Sequence, residues 1–176
     1  MTAGRKINSD SQDWNTPPKY VSVIKDFFHS KIDLDPCSNE YSTIGAEVEY
    51  RLPEKDGLEE SWNYKHIFVN PPYGRDKERG TSIKDWLKKG CETHKDFGSE
   101  IIFLVPVATN TSHWKEYVFK GKATAICFLY DTRLKFYEKG KEVKKGAPMA
   151  CCLIYYGNNI QRFKEFFNSY GAIVMT

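Results

Sequence analysis

His66-Ile67-Phe68-Val69-Asn70-Pro71-Pro72-Tyr73-Gly74 is the stretch from which the rest of the chain is read. An apolar run ends abruptly in a stiff polar turn that carries one amide and one aromatic ring. Such a run bounded by a turn reads as a buried strand, and its carboxyl end is where open α/β sheets bind their ligands. Pro71 and Pro72 fix φ and stop the strand from continuing, so Asn70 and Tyr73 are presented on a rigid corner.

An amide, two prolines and a tyrosine in a row suit one chemistry well. The exocyclic amino group of a planar ring such as adenine is a poor nucleophile, because its lone pair is delocalised into the ring. Two acceptors, the Asn70 side-chain oxygen and the Pro71 carbonyl, would hold its two hydrogens and favour a more tetrahedral nitrogen. The Tyr73 ring offers a stacking face, worth roughly 1–3 kcal/mol per base in single-strand binders. Pro72 completes the rigid turn. The bland alternative is a proline-rich turn that caps a strand, with Tyr73 only packing.

The surrounding sequence extends this nucleus into a three-layer α/β domain. Glu100-Ile101-Ile102-Phe103-Leu104-Val105-Pro106 is apolar on both faces, as a central strand must be. Lys31 to Ser38 reads as a strand that ends at Asp35-Pro36-Cys37, with Asp35 either a ligand acceptor or the cap of its own turn. Glu47 to Tyr50 is a short strand, and residues 124–130 and 148–156 are two further ones. Ile173-Val174-Met175 adds an edge strand. Helices are expected after Thr16-Pro17-Pro18 (Thr16 as N-cap), after Ser82, and over residues 161–170. Arg133-Leu134-Lys135-Phe136-Tyr137 alternates like an exposed strand and leads into a hairpin tip at Lys139-Gly140-Lys141. No glycine-rich loop follows Pro36.

The chain has 176 residues, 40% of them hydrophobic and 15% aromatic, which suits one domain with a real core. Residues 1–13 are polar and read as a flexible segment, leaving residues 14–176 as the domain. A net charge of +3 leaves any nucleic-acid contact to local basic clusters. Arg75, Lys77 and Arg79 on the glycine-bounded loop, and Lys141 and Lys144 near the hairpin tip, are the candidates; a solvated loop is the alternative for each group. No apolar run crosses a membrane and no signal-peptide core is seen, so a cytoplasmic setting is expected. Five cysteines without a Cys-x-x-Cys argue for buried thiols, and the histidines show no ligand spacing, so no metal is expected.

Trp14-Asn15-Thr16-Pro17, Leu34-Asp35-Pro36-Cys37, Asp56-Gly57-Leu58, Val69-Asn70-Pro71-Pro72-Tyr73-Gly74 and Arg133-Leu134-Lys135-Phe136 together, in that order, resemble the phage-type DNA N-6-adenine methyltransferases of the Dam family. The resemblance covers most of the chain, from about Trp14 to Tyr156. It implies a Rossmann-like class I methyltransferase sheet with a late β-hairpin, S-adenosyl-L-methionine as cofactor, and double-stranded DNA with a flipped adenine as substrate, in a bacterial or phage-infected cell. By similarity, Trp14, Thr16, Pro17, Asp35, Pro36, Cys37, Asp56, Leu58 and Asn70 would surround the cofactor. Asn70, Pro71, Pro72 and Tyr73 would carry out the transfer, and Arg133 would sit near the site or the DNA. With no room for a separate recognition domain, sequence preference would come from residues 74–81, 109–112 and 139–146. Methylation of RNA adenine or of a protein glutamine, and a non-catalytic DNA-binding accessory role, are the alternatives.

Overall fold

The computed structural model of the chain describes residues 14–120 and 122–176; the expected flexible segment, residues 1–13, lies outside them. The strand read first is β3, His66–Val69, and all four of its residues are buried. Side chains alternate across a strand, so Ile67 and Val69 enter one core and Phe68 the other. Full burial of each such side chain contributes about 1.5–3 kcal/mol.

A right-angled chain reversal is not available to parallel strands, so a helix must carry the chain back across the sheet. That helix is α2, Ile83–Phe97. Ser82 starts it with a capping box to Asp85, and Gly98, at φ 69°, ends it. The next strand, β4 (Glu100–Pro106), lies parallel to β3 with Ile67 opposite Ile101 and Val69 opposite Phe103.

On the other side of β3 lie β1 (Leu34–Asp35) and then β2 (Val48–Glu49), both parallel to it. Beyond β4 comes β8 (Cys151–Tyr156), antiparallel and wholly buried, then β5 (Ala125–Leu129) and the edge strand β9 (Gly171–Met175). The seven strands run in the order β2-β1-β3-β4-β8-β5-β9. β4 is therefore the central strand, as its two apolar faces require.

Two helices cover one face: α1 (Pro18–Phe27) and α3 (Ile160–Phe167), whose Phe27, Phe163 and Phe167 pack on Tyr155 and Leu153. α2 and a single π-helical turn at Trp114–Val118 cover the other. The result is a mixed α/β, three-layer arrangement. Among the described residues no helix is long and apolar enough to cross a membrane.

Two expectations need correction. Pro17, not Thr16, occupies the N-cap position of α1, so the Thr16 hydroxyl is free for other work. The alternating segment before the hairpin is not an exposed strand, because Leu134 and Phe136 are both buried in the core beneath α1. The hairpin itself is the short pair β6 (Tyr137–Glu138) and β7 (Lys141–Glu142), turned at Lys139 and Gly140 with φ of 49° and 75°. Positive φ at both central residues is what a two-residue hairpin turn demands.

Candidate active site

Asn70 leaves the carboxyl end of β3, and its side-chain amide is held from an unexpected direction. Its Nδ2 donates to the Trp14 carbonyl at 2.8 Å and to Thr16 Oγ1 at 3.2 Å. A carbonyl can only accept, so the amide must face Trp14 with its nitrogen. Both acceptors claim Nδ2, which leaves Oδ1 as the atom that the Asn70 side chain can offer a ligand. Pro71 is buried, while Asn70 and Pro72 line a cavity of about 590 Å³. That volume lies within the usual range for small-molecule sites.

Tyr73, half-buried, follows Pro72 on the same turn. Its hydroxyl donates to the Leu104 carbonyl at 3.1 Å, and its ring meets Phe136 edge-on at 5.6 Å and Trp14 at 6.1 Å. Trp14 in turn stacks on Phe136, with centroids 5.2 Å apart. Burial pushes the Tyr73 phenol well above its ordinary pKa, which keeps it a neutral donor.

Asp35, at the end of β1, forms the opposite wall. Its carboxylate accepts from the Cys37 N–H at 3.1 Å and makes a long 3.5 Å contact with the Ser42 hydroxyl. These two partners do not offset the loss of water, and burial raises its pKa to about 7. Asp56 accepts the Leu58 N–H at 2.9 Å and Arg79 Nη1 at 2.7 Å. Arg79 Nε donates to Asp76 at 2.7 Å, so one guanidinium ties residues 74–82 to the Asp56 turn.

Gly57 explains how the Asp35 and Asp56 turns come so close: a Cβ there would lie 1.8 Å from the Pro36 carbonyl oxygen. The Gly57 carbonyl accepts Trp62 Nε1 at 2.7 Å, which fixes the turn to the core.

Of the residues singled out in the sequence, Trp14, Thr16, Asp35, Pro36, Cys37, Asp56, Asn70 and Pro72 converge on this cavity. Pro17, Leu58, Pro71 and Tyr73 are not among the residues that line it. Arg79, expected on the phosphate-facing loop surface, instead lines the cavity, captured by two carboxylates. Arg75, Lys77, Arg133, Lys141 and Lys144 are exposed.

Sequence reading passed over Asn39, Ser42, Tyr50 and Arg51, which also line the cavity. Their signal was positional. They follow β1 and β2 at the sheet's ligand-binding end, where a weakly patterned polar segment is the natural place for contacts.

A sheet whose parallel strands deliver Asp35 and Asn70 to one polar cavity defines an α/β protein of the class whose ligand sites lie at strand carboxyl ends. Within that class, the chain belongs to the DNA N-6-adenine-methyltransferase (Dam) family, whose profile matches residues 4–172. A protein of Haemophilus phage HP1 (strain HP1c1), named DNA N-6-adenine-methyltransferase, is 32% identical over 73 residues. That match spans 42% of this chain and 41% of the phage protein, less than half the length of either. No solved structure matches.

Proposed function

We propose that this protein transfers a methyl group from S-adenosyl-L-methionine to the N6 amino group of an adenine flipped out of double-stranded DNA. The observation that carries this reading is the Asn70 amide, whose Nδ2 is claimed by Trp14 and Thr16, leaving only an acceptor beside the cavity. An exocyclic amine needs acceptors, and the adjoining Pro71 carbonyl provides the second one. Family membership and the named phage relative support DNA adenine as the class of substrate. The parallel strands β1, β2, β3 and β4, with an antiparallel β8 beside them, support a Rossmann-like class I sheet.

The cavity suits the cofactor. Asp35 is a buried carboxylate short of donors, and a ligand carrying an ammonium or ribose hydroxyls would supply them. Trp14, Thr16, Asp35, Pro36, Cys37 and Asp56 would line its site, with Pro17 and Leu58 near them in sequence. When bound, the cofactor supplies an electrophilic methyl group.

The chain's own contribution is positioning and desolvation. Asn70 Oδ1 and the Pro71 carbonyl accept the two amino hydrogens and draw the nitrogen lone pair out of conjugation. The Tyr73 ring, braced by Trp14 and Phe136, backs the base. So held, the nitrogen would take the methyl group that the cofactor would supply, the carbon–sulfur bond breaking as the carbon–nitrogen bond forms and the proton passing to water. Arg75, Lys77, Arg133, Lys141 and Lys144 engage phosphates, and the flipped base leaves the stack at a cost of a few kcal/mol.

Incubation with methyl-labelled S-adenosylmethionine and unmethylated DNA, followed by digestion to nucleosides, tests the reading. Label in N6-methyladenine is expected. Label appearing only in RNA or in protein would overturn the choice of substrate, and absence of cofactor binding would overturn catalysis.

A further inference from the structure

The turn at residues 70–74 does not orient its own amide. Both hydrogen bonds that fix Asn70 Nδ2 come from a segment more than fifty residues earlier, the strap at residues 14–16. That strap is held in turn by the hairpin. Asn15 and Tyr137 exchange two backbone hydrogen bonds, Asn15 N–H to Tyr137 O at 2.8 Å and Tyr137 N–H to Asn15 O at 3.0 Å. Trp14 adds its stack on Phe136, the residue just before β6. A continuous set of contacts therefore runs from the hairpin, through the strap, to the amide.

We propose that Thr16 is a positioning residue for Asn70, and that the strap relays the seating of the lysine-bearing hairpin to the amide; this rests on the function proposed above. Four features carry it. Thr16 and Asn15 are 2% and 6% exposed, so water does not substitute for either contact. Thr16 is not needed as a helix cap, since Pro17 fills that place. Amide rotation would set Asn70 Oδ1 against the Trp14 carbonyl oxygen, two acceptors face to face, so the orientation has one stable setting. Finally, the hairpin tip carries Lys139 and Lys141 with Lys144 and Lys145 just beyond, so a DNA backbone gripped there pulls on the same strand that anchors the strap.

The consequence is a division of labour. Thr16 touches the cavity, yet its principal effect falls on how Asn70 is aimed. Displacements of about 1 Å in a reacting geometry can cost about 100-fold in rate. Losing one of two amide anchors should cost less, about tenfold.

The test uses the full chain with Thr16→Val, which keeps the side-chain shape and removes the hydroxyl, and with Thr16→Ser, which restores it. Single-turnover methyl transfer at saturating S-adenosylmethionine should fall about tenfold in Thr16→Val and recover in Thr16→Ser. A second readout needs no activity: exchange of the Asn70 side-chain amide hydrogens, followed by NMR, should quicken about tenfold in Thr16→Val. It should quicken likewise in Tyr137→Pro, which deletes the N–H donated to Asn15.

Unchanged amide exchange in both variants overturns the relay. A Thr16→Val rate at saturating cofactor equal to wild type overturns the positioning role. If wild type transfers no methyl at all, the proposed function fails, and the amide exchange alone still decides whether the strap sets Asn70.

Discussion

Replacing Gly57 by alanine should do more damage than its place in a polar turn suggests. A Cβ at residue 57 would stand 1.8 Å from the Pro36 carbonyl oxygen and 2.8 Å from its carbon, whereas ordinary contact begins at 3.4 Å. The obstructing atoms are backbone, so the Asp35 and Asp56 turns must part by roughly 1.6 Å. Overpacking of this kind costs about 1–3 kcal/mol. The movement also withdraws the Gly57 carbonyl from Trp62 Nε1, now at 2.7 Å, and Trp62 is only 1% exposed. Leaving that indole N–H unpaired adds about 1–3 kcal/mol.

A total of about 2–6 kcal/mol is expected, which should be read as an earlier urea midpoint at unchanged slope. Because the same two turns wall the cavity, cofactor affinity should fall as well. Gly80→Ala is the control: nothing lies within 4 Å of its Cβ, but φ of +70° strains any L side chain, at about 1–2 kcal/mol. A Gly57→Ala protein as stable as wild type, or no worse than Gly80→Ala, would refute the close approach of the two turns.

Further expectations concern the cavity and the basic surface. Asp35, its pKa raised by burial from 3.8 to about 7, holds a proton in the folded chain that the unfolded chain releases, so its contribution to stability is full at low pH and is lost as pH rises towards about 7. Wild type should therefore lose stability relative to Asp35→Asn between about pH 4 and pH 7, and a constant gap in urea midpoints would contradict the raised pKa. Arg79→Met removes two partly exposed ion pairs of 2.7 Å and should cost no more than about 1 kcal/mol, yet trypsin should cut sooner after Arg75 and Lys77. Unaltered cleavage would mean that Arg79 does not tether the loop. Lys141→Ala and Lys144→Ala should each lower the slope of log DNA affinity against log salt by about 1, and an unchanged slope would remove the hairpin from the DNA contact.

Most of the fold was legible because its strongest elements announce themselves locally. The uninterrupted apolar run of β4, the abrupt end of β3 at Asn70, and the Ser82–Asp85 box at the start of α2 depend on neighbours in sequence. β1 and β2 are two residues each, and their lengths are set by pairing, β1 with β3 and β2 with β1, rather than by their own pattern.

Alternation at Arg133 to Tyr137 correctly separated two classes of side chain. It could not say that Leu134 and Phe136 would be sealed under α1 and Trp14, since that depends on packing from elsewhere in the chain. Arg79 misled for a related reason. In sequence it is one more cation on a polar loop, while in space Asp76 and the distant Asp56 claim it. Thr16 looked like a helix cap because the local signal for one is strong, and the competing partner, Asn70, is invisible at short range.

The most direct test of the account compares wild type with Asn70→Ala in single-turnover methyl transfer to DNA, with S-adenosylmethionine affinity measured on both. Removing the oxygen that would hold the amine should slow transfer by at least about 100-fold, as loss of a preorganised polar group typically does, while cofactor affinity changes little. Transfer within a few-fold of wild type, in a variant that folds and binds cofactor normally, would contradict the role assigned to Asn70 and with it the proposed site.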